Sequence, residues 1–97
     1  GAIRISKDGK TLYISNRGEN TLVAFDCDGA NLTMKQKVDC RGNFPRDFDL
    51  TPDGKYLICC NQKTNDLTVF SVNLDGTLAY LTAVLGIENP LCVVFGE

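Results

Sequence analysis

Three observations predict an all-β fold assembled from repeated four-stranded units. The chain repeats itself: Ile3–Phe25 reads IRISKDGKTLYISNRGENTLVAF, and Phe48–Phe70 reads FDLTPDGKYLICCNQKTNDLTVF. Asp8, Gly9, Lys10, Leu12, Asn16, Asn20, Leu22 and Phe25 thereby recur at Asp53, Gly54, Lys55, Leu57, Asn61, Asn65, Leu67 and Phe70. The spacing is constant at 45 residues, which matches one blade of a β-propeller. Within each period, short apolar segments alternate with Gly turns, and no segment carries a 3.6-residue period. The 97 residues hold only about two periods, whereas a propeller closes with roughly 4–8 blades. The chain therefore reads as part of a larger ring.

Each period repeats the same order of signals. A short alternating segment comes first, with Ile3 and Ile5 flanking Arg4, then Phe48 and Leu50 flanking Asp49. The turns Lys7-Asp8-Gly9-Lys10 and Pro52-Asp53-Gly54-Lys55 follow. Asp-Gly is a strong hairpin signal, because glycine accepts positive φ without a steric penalty. The denser apolar strands Leu12–Ser15 and Tyr56–Cys60 come next, and their near-continuous apolar character predicts burial on both faces. Polar turns lead to third strands at Leu22–Phe25 and Leu67–Val72. A further turn, Asp28-Gly29 or Asp75-Gly76, leads to the fourth. The second copy of this turn arrives two residues later than the repeat requires. Leu32–Val38 carries Lys35, Gln36 and Lys37, as a solvated edge strand should. Leu78–Leu85 is more apolar.

Residues 1–43 form a first blade on this reading and residues 44–88 a second. Residues 89–97 begin a third period, with Pro90 matching Pro45. This single strand can complete a blade begun at the other end of a longer chain and so fasten the ring. Phe25, Phe48, Phe70 and Phe95 recur at strand positions and are read as core.

Composition excludes several functions. The net charge is −2 and the pI about 5.0, so no basic stripe is available for nucleic acid. No apolar run approaches the roughly 20 residues of a membrane span. The five cysteines include no C-x-x-C pair, and histidine is absent, which excludes a Cys/His zinc site. The thiols are read as buried, reduced and small apolar groups; a Cys27–Cys40 bridge is the alternative. Asp26, Asp28 and Asp75 are too scattered for a calcium loop. No nucleophile with an adjacent base can be assembled, no phosphate-cradling glycine loop is present, and no cofactor is expected. No signal segment is visible, and a cytoplasmic protein is expected.

The repeat also locates a candidate site. The start of a first strand and the end of a second lie at the same end of an antiparallel pair. Arg46, Arg17 and Gln62 should therefore share one rim. A fixed guanidinium there suits a carboxylate, a phosphate or a developing oxyanion. The plainer alternatives are ion pairs, Arg17 with Glu19 or a neighbouring blade and Arg46 with Asp47 or Asp49. Asn16 and Asn61, which close strands ahead of turns, are read as structural, and Asp8 and Asp53 as turn residues.

The chain resembles the lactonase-type seven-bladed propellers, namely bacterial 6-phosphogluconolactonases and the related fungal carboxymuconate cyclases. The residues that carry the resemblance are Ile3-Arg4-Ile5-Ser6, Asp8-Gly9, Leu12-Tyr13-Ile14-Ser15-Asn16-Arg17, Pro45-Arg46-Asp47-Phe48, Asp53-Gly54-Lys55-Tyr56-Leu57, Asn61-Gln62 and Asn89-Pro90-Leu91-Cys92-Val93-Val94-Phe95. The resemblance covers essentially the whole chain and aligns it with the last two blades of such a ring. It implies an active-site cluster of a histidine, two arginines and a glutamate drawn from several blades. Only the last arginine has a counterpart here, Arg17, which is the candidate catalytic residue. Arg46 and Gln62 are the candidate substrate-binding residues. The resemblance implies lactone hydrolysis or carboxymuconate-type lactonisation on an anionic sugar-lactone or muconate-type substrate. The chain alone is expected to be inactive, with the remaining blades or further copies of itself as partners. A non-enzymatic propeller module that binds a protein or ligand is the competing expectation, because Leu12–Leu22 also resembles repeats of bacterial surface-layer scaffolds.

Overall fold

The computed structural model describes residues 2–61, 63, 64 and 66–84, and only the backbone of Arg46. Eight strands follow in chain order: β1 (Ile3–Ile5), β2 (Thr11–Asn16), β3 (Thr21–Asp28), β4 (Asn31–Asp39), β5 (Pro45–Leu50), β6 (Tyr56–Asn61), β7 (Asp66–Val72) and β8 (Leu78–Val84). They form two four-stranded sheets, β1-β2-β3-β4 and β5-β6-β7-β8. Every neighbouring pair is antiparallel. These are the two meanders that the repeat predicts. β5 starts at Pro45, earlier than the apolar alternation alone marks. The strand expected over 89–97 lies outside the described residues.

The repeated turns are built alike. Asp8 Oδ1 accepts from the Ser6 hydroxyl at 2.6 Å and from the Lys10 N–H at 2.9 Å. Asp53 Oδ1 accepts from the Thr51 hydroxyl and the Lys55 N–H at the same two distances. Gly9 (φ 75) and Gly54 (φ 73) supply the left-handed residue. Asp8 and Asp53 are thus turn residues, as their position implies.

One face of each sheet packs against the other. Tyr13, Leu22 and Ala24 from the first sheet meet Phe48, Leu57, Cys59, Phe70 and Leu78 from the second, with Cys40 of the link between them. Each large side chain buried here contributes about 1.5–3 kcal/mol. Polar contacts close the seam. Arg4 pairs with Asp47 at 3.1 Å and Asp49 at 3.6 Å. Gln36 receives the Leu78 N–H at 2.7 Å and donates to the Leu78 carbonyl at 2.9 Å. Tyr13 donates to the Gly76 carbonyl, and Lys35 bonds Thr11, Asp26 and the Asp75 carbonyl. The two extra residues before Gly76 lengthen the β7–β8 turn, and that longer turn is what reaches the first sheet.

The first sheet's other face is apolar. Ile3, Ile14 and Val23 form one cross-strand row that ends in Lys37 on β4, and Ile5, Leu12, Phe25 and Met34 form the next. Ile3, Ile5 and Met34 are each 57% exposed. This corrects the expectation of burial on both faces of β2: Leu12 and Ile14 are only half-buried. Phe25 shares that face and is half-buried, whereas Phe48 and Phe70 are core. β6 comes closer to the expectation, with Leu57, Cys59, Cys60 and Asn61 all buried.

Candidate functional site at the strained rim

Strand alternation places the β2–β3 turn, the β4–β5 link and the β6–β7 turn at one end of the two sheets. Arg17 is the first residue after β2, and the Arg46 backbone is the second residue of β5. Both therefore stand at the end that the repeat assigns them. Gln62 lies outside the described residues.

This end is conformationally unlike the other. Among the described residues, the four glycines with positive φ are Gly9, Gly29, Gly54 and Gly76, all in turns of the opposite end. The non-glycine residues with positive φ are Asn20 (58), Arg41 (64) and Phe44 (61), all at the Arg17 end. Asn tolerates this region. For a bulky residue such as Phe44 it is strained, and the following Pro45 also favours extended backbone there. Such strain clusters at functional sites and is held by its surroundings. Phe44 is held by its N–H, which donates to Asn20 Oδ1 at 2.7 Å.

The Phe44 ring gathers two cations. The Arg17 guanidinium carbon stands 5.2 Å from its centroid, and Lys63 Nζ stands 4.8 Å away. Sequence reasoning found Arg17 but not Phe44 or Lys63. The available signal was a large aromatic in an otherwise polar link, directly before a proline.

The expected plain partner of Arg17 is engaged elsewhere. Glu19 binds Lys37 at 2.7 Å, and that contact holds its carboxyl below the usual range. Asn16 Oδ1 caps the turn, accepting from the Gly18 N–H at 3.1 Å. Asp39 accepts from the Arg41 N–H at 2.7 Å, and Asp66 from the Thr64 hydroxyl at 2.7 Å. Among the described residues, no ion pair reaches Arg17 or Lys63. Asn61 is structural in a way its strand-end position does not reveal. It is buried, donates to Thr68 Oγ1 at 3.2 Å, and Thr68 in turn donates to the Cys40 carbonyl at 2.8 Å. Gly42 must lack a side chain, because a Cβ there would collide with Asn61.

Two concavities open at the opposite end, between the sheets. One of about 260 Å³ is lined by Arg4, Ser6, Lys7, Tyr13, Asp49 and Pro52. The other, about 620 Å³, is lined by Lys10, Thr11, Asp26, Lys35 and Asp75 among others. Arg4, Lys35 and their carboxylates neutralise one another there. These hollows are seams between blades, and Lys7 and Lys10 along them, like Arg17 and Lys63 at the other rim, have no ion pair among the described residues. Among the described residues, no cluster of three or more His, Cys, Asp or Glu could hold a metal ion. The four described cysteines are free thiols. The buried Cys59 thiol donates to Asn61 Oδ1 at 3.5 Å, and its nearness to Cys40 and its burial push it far above the ordinary thiol range.

Comparison with known proteins matches residues 1–95 to the family described as lactonase, 7-bladed beta-propeller. The chain is 31% identical to the 6-phosphogluconolactonase of Bacillus subtilis over 97% of its own length and 28% of that protein. Among solved structures, a protein from Lactobacillus plantarum superposes with a TM-score of 0.94 at 40% identity, covering all of this chain and 29% of that one. The periplasmic gluconolactonase of Pseudomonas aeruginosa superposes with a TM-score of 0.86 at 30% identity, over 93% of this chain and 26% of that one. The chain thus spans less than a third of the length of these relatives. Two blade-like sheets, the strained rim with its arginine, and the match over nearly every residue lead to one conclusion: this chain belongs to the seven-bladed β-propeller lactonase family.

Proposed function

We propose that the protein carrying this chain hydrolyses an anionic sugar lactone, in the manner of 6-phosphogluconolactonases, and that Arg17 acts on the lactone carbonyl. The observation that carries this reading is an exposed arginine without an ion-pair partner among the described residues, at the strained rim. Gln62 occupies the same position in the next period, so the arginine is not a routine element of the repeat. In lactone hydrolysis, water adds to the acyl carbon and negative charge gathers on the carbonyl oxygen. The ring C–O bond then breaks to leave a carboxylate and a hydroxyl. A guanidinium beside that oxygen stabilises the developing charge without a proton transfer. Arg46 and Gln62 are the substrate-binding residues on this reading. The base that activates water comes from other blades, so the 97 residues alone are inactive. The location is cytoplasmic on this reading.

Lactonisation of a muconate-type acid, as in carboxymuconate cyclases, is a different step, in which a carboxylate adds across a C=C bond, charge gathers on the conjugated carboxyl as an enolate and a proton then adds to carbon. The same cation would stabilise that enolate. A binding module without catalysis is the competing reading. In the complete propeller, Arg17→Ala lowers kcat/KM for lactone hydrolysis by about 100-fold, the scale of one oxyanion donor. Turnover of 6-phosphogluconolactone that is unchanged in this variant overturns the assignment. Absence of turnover of any lactone by the unmodified propeller favours the binding module.

A further inference from the structure

Arg17 is exposed just past the end of β2. Among the described residues no ion pair reaches its guanidinium, and the contact it makes is with the Phe44 ring, 5.2 Å from the guanidinium carbon to the centroid. A ring face attracts a guanidinium without accepting its protons. The charge therefore stays whole, and the five N–H donors of the fork stay open to a ligand. A carboxylate in the place of the ring would have neutralised the first and occupied the second.

The ring owes its place to one hydrogen bond. Phe44 stands at φ 61, which is costly for an aromatic residue, and Pro45 after it favours extended backbone. The Phe44 N–H donates to Asn20 Oδ1 at 2.7 Å. Asn20 is itself left-handed, at φ 58, and belongs to the same turn as Arg17. Asn16 Oδ1 closes that turn from within, accepting from the Gly18 N–H at 3.1 Å and the Glu19 N–H at 3.4 Å. The Cys40 N–H ties it to the β4–β5 link, donating to the Asn20 carbonyl at 2.9 Å. One short turn thus presents a cation at its start and an acceptor at its end, and the link returns a ring from the acceptor to the cation.

The repeat is an independent witness. Asn20 recurs at Asn65, but the position of Arg17 holds Gln62 and that of Phe44 holds Asn89. The acceptor is common to both periods, whereas the arginine and the ring are present together in one and replaced together in the other.

We propose that Asn20 and Phe44 are positioning residues for Arg17: Asn20 locks Phe44 in its left-handed conformation, and the ring aims the guanidinium without neutralising it. The proposal rests on the lactonase reading of Arg17 and adds what sets the direction of its fork. Neither residue touches the reacting atoms. Both act by limiting where an exposed, rotamer-rich side chain can go, so that its donors meet the developing charge already oriented. Strain at Phe44 is the cost of placing the ring there, and the Asn20 bond sustains it.

The test is a double-mutant cycle on the complete propeller, read as kcat for 6-phosphogluconolactone. Phe44→Leu keeps an apolar side chain, removes the π face and lowers kcat about tenfold, the scale of a misaimed group. Phe44→Tyr keeps the face and retains most of kcat. Asn20→Gly accepts the left-handed backbone but lacks the oxygen, and it loses about as much as Phe44→Leu. In the Arg17→Ala background, neither Phe44→Leu nor Asn20→Gly lowers kcat further, which a general loss of structure would not produce. An unchanged kcat in Phe44→Leu, or an equal loss with and without Arg17, overturns the proposal. If Arg17→Ala itself leaves turnover unchanged, the lactonase reading of Arg17 fails separately, and NMR of the arginine side chains decides the positioning. The Arg17 Nε–H resonance, identified by its disappearance in Arg17→Ala, is displaced by the ring current of Phe44. Its return to the position of a solvated arginine in Phe44→Leu and Asn20→Gly sustains the proposal, and a resonance that neither substitution moves overturns it.

Discussion

Tyr13 donates its hydroxyl proton to the Gly76 carbonyl at 2.6 Å, joining positions 63 residues apart across the seam between the sheets. Tyr13 is fully buried, so its ring fills the core while its oxygen satisfies the long β7–β8 turn. Tyr13→Phe keeps the ring and leaves the carbonyl unsatisfied, a loss of about 1–3 kcal/mol. Urea unfolding followed by circular dichroism should show a lower midpoint with an unchanged slope.

The same phenol makes stability depend on alkaline pH. Burial first, then the nearby Asp8 charge, push its pKa from 10.0 up to about 12. The neutral phenol is therefore favoured by folding. Its contribution is complete below pH 10.0 and is lost as the pH rises through about 12. Unfolding titrations should show an alkaline limb in that window, and Tyr13→Phe should flatten it.

Gly76 should tolerate no side chain. Its φ is +88, and an added Cβ would collide with Thr11 Oγ1 and Lys35 Nζ. Gly9 has φ +75 but open space around it. Gly76→Ala should therefore lower the thermal midpoint more than Gly9→Ala, which bears the backbone penalty of about 1–2 kcal/mol alone. Equal midpoints for the two variants would show that the turn does not press on the first sheet.

On the acid side, Asp8, Asp53 and Asp75 are held below the ordinary 3.8 by hydroxyl and then amide hydrogen bonds. Lys37 holds Glu19 below 4.5. Depressed carboxyls favour folding fully above their ordinary values and lose that effect as the pH falls through the folded values. The unfolding midpoint should be flat from neutral pH to mildly acid and decline below the ordinary carboxylate values. Hydrogen bonds lead the effect at the aspartates, so this acid limb should persist in high salt.

The uncovered face of the first sheet makes a prediction about association. Ile3, Ile5 and Met34 are each 57% exposed in adjoining cross-strand rows, and exposed apolar sheet surface drives association. The 97-residue chain expressed alone should sediment as oligomers. Ile5→Lys should shift it toward monomer. A wild-type monomer with a cooperative unfolding transition would contradict this.

The strands and turns were legible because they rest on local rules: alternation, Asp-Gly, and a repeat that checks each element against its copy. Arg17 was legible for a related reason, since it departs from that copy. Phe44 was not, because its left-handed backbone and its two cations come from elements that meet only in three dimensions. Lys63 was hidden for the same reason. The apolar run of β2 misled because composition reports how greasy a face is, not whether another blade covers it. The Tyr13–Gly76 bond was out of reach, since nothing local ties a tyrosine in one period to a turn in the next.

The division of positive φ between the two ends bears on how such a ring can arise by duplication. At one end, each tight turn carries its own glycine, so a copied blade brings a working turn with it and fits beside any neighbour. At the other end, among the described residues, the unusual backbone of Arg41 and Phe44 is set against Tyr80 and Asn20, which lie on other segments. A copied blade does not inherit those contacts and must acquire them anew. The glycine end is thus the transferable half of the blade, and the Arg17 end is where successive copies are free to become different from one another.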